Sequence, residues 1–199
     1  MSEFFFYYPL GITHILSWAG YDHMLFILVL CSSFSLKEWR RILGVVTAFT
    51  LGHSITLALS VLNWIHLPGP WVEFLIPITI AITALQNLIP RRSNNGSNSN
   101  AFTMALFFGF IHGMGFASGL RSLLGKEASI FMPLLGFNLG LETGQLVVVS
   151  LFFFLSSLLI RIPNFSQKLL NQVLSILVFL IALFLAYIRF PSTNILYSS

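Results

Sequence analysis

Charge is what this chain most lacks. Asp, Glu, Lys and Arg make up 8% of its 199 residues while 56% are hydrophobic, and the mean hydropathy is +0.87. A soluble domain carries roughly a quarter charged residues. So little charge cannot cover a water-facing surface, and a soluble globular protein is excluded. Acids are scarce, six in all beside five histidines. The net charge of +4 points to no nucleic-acid partner, because the Lys and Arg residues sit at the ends of apolar runs, where basic residues set membrane topology. The lone cysteine, Cys31, rules out an intrachain disulfide and reads as a small buried hydrophobe. The N-terminus, MSEFFFYYPLGITHIL, has neither a basic n-region nor a small-residue cleavage site. The first helix is therefore expected to stay as an anchor rather than leave as a signal peptide.

What the chain does have is long unbroken apolar runs, such as LVVVSLFFFLSSLLI. A transmembrane barrel would instead show ~10-residue segments of alternating polarity. A helix crosses the hydrocarbon core in ~20 apolar residues, so the expected fold is all-α, a polytopic membrane protein of about six spans in a lipid bilayer. The spans are expected at about 10–34, 39–62, 70–90, 101–119, 129–160 and 167–188. The aromatic residues 4–8 suit an interface, and Gly11 and Gly20 leave open a short re-entrant or interfacial helix before the first span. Pro70 is placed for the first turn of the third. The fifth exceeds the length needed, which predicts tilt or a break near Gly136 and Gly140. The polar stretch RRSNNGSNSN at 91–100 is the clearest linker. It divides one transmembrane domain, 1–199, into two three-helix halves of about 1–90 and 101–199. Each half has His- and Glu-bearing segments but no alignable repeat. Lys37, Arg40, Arg41, Arg91, Arg92, Arg161 and Lys168 fall on one side of six spans, and Arg121, Lys126 and Arg189 on the other. That bias predicts that both termini face away from the cytoplasm.

Ionisable groups at bilayer depth cost several kcal/mol and mark functional sites. Most of the acids and histidines here lie inside or at the ends of apolar segments. In GITHILSWAGYDHMLF, His14, Asp22 and His23 fall in one short region. Imidazole and carboxylate together suit Ni, Co, Zn or Fe; the plainer alternative is a polar helix start with Asp22 as its cap. In TAFTLGHSITLALS, His53 sits mid-span with Thr50 and Ser54 on its face and Thr47 extending the stripe. Gly52 allows close helix approach. The hydroxyls could orient the ring, and a lone histidine hydrogen-bonded across helices is the alternative. In WVEFLIPITIAITALQNLIP, Glu73 opens a span with a polar stripe of Thr79, Thr83 and Asn87, with Gln86 beside it, and Pro77 frees a carbonyl. That helix is expected to line a cavity. In FFGFIHGMGFASG, His112 is surrounded by Gly109, Gly113 and Gly115. In GFNLGLETGQLVV, Asn138, Glu142 and Gln145 share a face. His66, in NWIHLPGPW, reads as a solvated loop histidine.

No Lys or Arg lies mid-span, so protonation, histidines or a bound metal must neutralise Glu142. The reading is a metal site of His14, Asp22, His23, His53, His112 and Glu142, supported by Thr50, Ser54, Glu73, Asn138 and Gln145. A divalent cation would supply the missing charge. A proton relay stays open.

Taken together and in order, five segments resemble the HupE/UreJ family of bacterial membrane proteins. They are His14 with Asp22-His23 ahead of MLFILVL, then TAFTLGHSITL, VEFLIPITIAITALQN, FGFIHGMGFA and FNLGLETGQL, and they cover most of the chain. The resemblance implies a multi-pass protein of the bacterial inner membrane, and the basic-residue bias puts its N-terminus on the periplasmic side. It implies that His14, Asp22, His23, His53, His112, Asn138 and Glu142 stand at the family's His, Asp-His, Asn and Glu elements. It implies permeation of nickel, or of cobalt, with zinc a further divalent ion of matching chemistry. The sequence has no nucleotide-binding motif, so energy is expected from an ion gradient, the membrane potential or partners. Two other classes stay open. One is a metal-dependent membrane enzyme, in which three histidines and a carboxylate around zinc or iron activate water or dioxygen. The other is a protein whose metal only holds helices together. A homo-oligomer also stays open.

Overall fold

Every long apolar run becomes a helix. A computed structural model describes residues 2–89, 97–124 and 129–191, and these form eight α-helices and no strand. The helices are α1 (Ser2–Leu16), α2 (Tyr21–Ser32), α3 (Trp39–Val61), α4 (Gly69–Leu88), α5 (Ser97–Gly115), α6 (Ala117–Leu124), α7 (Phe131–Leu159) and α8 (Gln167–Ile188). Four segments are long and apolar enough to cross a membrane alone: Leu36–Val61, which adds a 3-10 turn before α3, and α4, α7 and α8. The other four helices form two bent pairs, α1 with α2 at 63° and α5 with α6 at 50°. With each pair counted as one span there are six.

The second, third, fifth and sixth expected spans agree with these helices to within a few residues. The first and fourth are not straight. The aromatic stretch expected at an interface is helical, and Tyr7 within it is buried. Residues 97–100, expected in the linker, begin α5. The fifth span is unbroken at Gly136 and Gly140. Residues 91–96 of the linker lie outside the described residues. So do Arg91, Arg92 and Lys126 of the charge comparison.

Local chemistry sets the helix ends. Pro70 stands in the first turn of α4, where its missing N–H costs nothing. The Ser166 hydroxyl caps α8 by accepting from the Leu169 N–H at 3.2 Å. Asn63, at φ 60°, ends α3 in the left-handed conformation. The turn closes through Asn63 N–H to the Ser60 carbonyl (3.1 Å) and Trp64 N–H to the Leu59 carbonyl (2.9 Å), a Schellman arrangement with Asn in the usual place of Gly.

The helices of the two halves interleave: α1 packs on α7, α3 on α5 and α4 on α8. Glycine seams set the first two pairs. A Cβ on Gly140 would collide with the Tyr8 carbonyl, and one on Gly11 with the Phe137 carbonyl. Gly136 and Gly144 meet α1 on the same line, at Phe4 and at Ile12 and Ile15. On the other pair, a Cβ on Gly52 would strike the Leu106 carbonyl, and one on Gly109 or Gly113 the carbonyls of Phe49 or His53. Within a membrane no hydrophobic force drives helices together, so small residues four apart gain the backbone contact that does. Both seams run parallel, since residue numbers rise together along them. Outside, α7 and α8 present Leu151, Phe154, Leu177, Leu180 and Phe184, an apolar belt that only lipid tolerates.

Candidate metal centre

Both bends lie at the site. The first is the 3-10 turn Trp18–Gly20 between α1 and α2. A Cβ on Gly20 would collide with the His14 carbonyl, so only glycine lets the chain fold back on the last turn of α1. That 63° bend sets His23, in the first turn of α2, against His14, with ring centroids 4.7 Å apart. The Gly52 seam then delivers His53 from the middle of α3, at 6.1 Å from His14 and 6.0 Å from His23. His112 comes from the last turn of α5, next to the second bend, at 5.1 Å from His23.

One ring nitrogen from each of His14, His23 and His53 lies within 4.8 Å of the others. Around a tetrahedral ion with bonds of ~2.0–2.1 Å, ligand nitrogens stand about 3.3 Å apart, so small ring movements close the set. His14 Nε2, His23 Nε2, both nitrogens of His53 and His112 Nε2 are buried with no hydrogen-bond partner among the described residues. Buried polar atoms are rarely left so. Two rings have their far nitrogen engaged: His112 Nδ1 with the Phe108 carbonyl at 2.8 Å, and His23 Nδ1 with Asp22 Oδ1 at 3.0 Å. Such contacts to carbonyl and carboxylate are the means by which proteins orient metal-binding imidazoles. Phe26 and Phe49 flank His112, and Phe116, at the second bend, stacks on Phe137 at 4.9 Å while touching His14 at 4.4 Å. The imidazoles therefore meet in a water-poor aromatic box.

The family model described as HupE / UreJ protein matches residues 1–189. The chain belongs to the HupE/UreJ family. No curated protein and no solved structure matches it.

In this HupE/UreJ chain Asp22 stands behind His23 rather than beside the three free nitrogens. It does not cap α2, whose cap position is Gly20. The expectation that the intramembrane acids lack a fixed cation fails for Asp22: Arg189, one residue past α8, places Nη1 3.5 Å from Asp22 Oδ2. Counted along the chain, Arg189 belonged to the far end of the last span; the packing of α8 against α2 brings it to Asp22.

Glu142 is outside the cluster and accepts from the Thr47 hydroxyl at 2.7 Å, two turns along α3 from His53. Gln145 Oε1 accepts from Thr50 at 2.8 Å, one turn closer. Together they form a polar seam between α3 and α7. The Asn138 side chain is a weak polar partner of His53, without good hydrogen-bond geometry, and its amide nitrogen donates to the Leu134 carbonyl. Ser54 turns away to the Thr50 carbonyl.

On the opposite side of the cluster, a cavity of about 170 Å³ is lined by Glu73, His66, Ser60 and Arg121 and reaches Met114 and Gly115, between His112 and Phe116. His66, read as a loop histidine, faces this cavity. Pro77 leaves the Glu73 carbonyl without its helical donor, and Arg121 donates to the Ser60 carbonyl. The sequence pattern assigns Phe116 and Phe137 no role at the site, and Arg189 only that of a topological charge. Phe116 carried a signal in its place between Gly115 and Ala117, where two apolar helices break.

Proposed function

We propose that this protein is a permease for nickel or cobalt in the bacterial inner membrane, and that the ion is its cargo, held in passing by His14, His23 and His53 with His112 adjacent. The observation that carries the reading is the convergence of buried imidazole nitrogens that make no well-formed hydrogen bond among the described residues. Neutral imidazole suits late first-row dications, and in this aromatic box Asn138 is the further polar side chain at His53. The charge count favours passage over retention. The nearest carboxylate is already paired with Arg189, so an ion would meet neutral donors, and conduction requires a site weak enough to leave. The half-open cavity with Glu73 and His66 supplies an approach, and the Thr50, Gln145, Thr47 and Glu142 seam a departure. The excess of basic residues at the other ends of the helices supports a periplasmic side for the cavity.

A metalloenzyme is the second reading, because three histidines with one open position also describe a catalytic zinc site. Flux separates the two. In proteoliposomes enclosing a metal-sensitive dye, the intact protein is expected to admit Ni²⁺ or Co²⁺, and His14→Ala or His23→Ala to abolish it. Glu142→Gln should leave equilibrium binding unchanged but slow flux by about tenfold, ~1.4 kcal/mol on the barrier. Zinc that co-purifies at one equivalent and resists chelation, without any flux, would favour the enzyme.

A further inference from the structure

Arg189 ends the last span 167 residues away from the acid it touches. Besides Asp22 Oδ2, its guanidinium reaches the first turn of α2 a second time: Nη2 donates to the Tyr21 hydroxyl, and the guanidinium carbon lies 5.5 Å from the Tyr21 ring centroid. The other Asp22 oxygen, Oδ1, accepts from the His23 backbone N–H at 2.9 Å and faces His23 Nδ1 at 3.0 Å. Both carboxylate oxygens are thereby engaged. Little of the pair is open to solvent: 21% of the Arg189 side chain and 11% of the Asp22 side chain are exposed. Competition from water and salt, which weakens surface ion pairs, is correspondingly reduced.

We propose that Arg189 is a positioning residue of the metal site. It holds Asp22 against the back of His23, so that the His23 ring carries its proton on Nδ1 and presents Nε2 to the ion. It also keeps the Asp22 carboxylate from turning inward as a ligand itself. The guanidinium suits this task because its fixed fork addresses the carboxylate and the Tyr21 hydroxyl at once, where an ammonium is a single point charge. The inference rests on reading the three imidazoles as a metal site, and its test separates the two.

The test uses the full chain in detergent, with Co²⁺ as the probe and its ligand-field absorption as the signature. Arg189→Gln is expected to weaken Co²⁺ binding by about tenfold, the lower end for loss of an outer partner of a metal-binding histidine, and to alter the spectrum. Arg189→Lys, which keeps the charge but not the fork, should recover only part of the loss. Because Arg189 acts through Asp22, adding Arg189→Gln to Asp22→Asn should cost less than about twofold more, whereas independent effects would multiply. Nitrogen-15 shifts of the His23 ring in the metal-free protein should report one tautomer in the intact chain and a mixture in Arg189→Gln. Unchanged affinity and spectrum in Arg189→Gln, or a second full tenfold loss in the Asp22→Asn background, would overturn the proposal. If Arg189→Gln does not fold, Arg189→Lys completes the same cycle with Asp22→Asn. If the intact protein binds no Co²⁺, the metal-site reading falls, and the His23 tautomer still decides whether Arg189 orders that ring.

Discussion

His53→Leu is expected to abolish metal binding and, in the same protein, to raise the melting temperature of the metal-free form. His53 is fully buried in the middle of α3, and its polar neighbour on α7, the Asn138 side chain, falls short of good hydrogen-bond geometry with either ring nitrogen. An unsatisfied buried polar group costs about 1–3 kcal/mol. Leucine has similar volume and no polar atom, and it would pack against Phe49 and Phe137, whose rings lie 6.3 and 6.4 Å from the imidazole. That cost is removed while the ligand is lost. Stability gained by deleting a functional group is the usual trade at a site that must stay ready for a ligand. Thermal unfolding in detergent with and without Ni²⁺ checks both halves. At a hundredfold excess of ligand over Kd the intact protein should gain about 2.7 kcal/mol and the variant nothing. A variant that melts lower than the parent, or that nickel still stabilises, would sink the view that this histidine is held unsatisfied for an ion.

Gly140→Val should be the most damaging single change outside the histidines. In an ordinary helix interior glycine is poorer than alanine by about 1 kcal/mol, so helix propensity alone would make losing it an improvement. Here the added Cβ meets the Tyr8 carbonyl, which is backbone and cannot rotate aside. The α1 and α7 axes must separate, and the neighbouring contacts at Gly11, Gly136 and Gly144 loosen with them. Overpacking typically costs 1–3 kcal/mol and at times more; a whole helix pair is moved in this case, so about 3 kcal/mol or more is expected. The effect reaches the site, because His14 rides on the last turn of α1. Gly44→Ala is the matched control, since nothing lies within 4 Å of its added Cβ. Parallel melting curves and Ni²⁺ titrations of the two variants read the outcome. A Gly140→Val protein with the parent's stability and affinity would show that the seam is not what seats α1.

Helix type and most span limits were legible because lipid imposes a simple rule: a stretch that crosses must be apolar and must satisfy its own backbone. That rule acts on consecutive residues, so α3, α4, α7 and α8 could be read directly. It fails at the two bends. At residues 17–20 and at Phe116 the hydropathy runs on while the chain turns, and the glycines that permit the turn resemble those that only permit packing. Gly136 and Gly140 show the confusion from the other side: they suggested a break and turned out to form a packing face.

The site divides in the same way. That His23, His53 and His112 would be buried and His14 partly so followed from where they stood in apolar segments, and the chain order of their motifs matched the family. Which acids would join them did not follow. Asp22 and His23 are adjacent in sequence, and only the direction of each side chain in the first turn of α2 puts the carboxylate behind the imidazole.

The sequence by itself determined that this protein lives in a bilayer, that it is helical, and that its few ionisable groups are the unusual thing about it, because the energetic cost of polarity in hydrocarbon is paid residue by residue. The tertiary structure alone decided which of those groups meet. Glycine seams set the depth at which α1, α3 and α5 present their histidines, and the packing of α8 on α2 brings Arg189 to Asp22. Contacts between residues more than a hundred positions apart depend on the relative placement of whole helices, which no local pattern encodes.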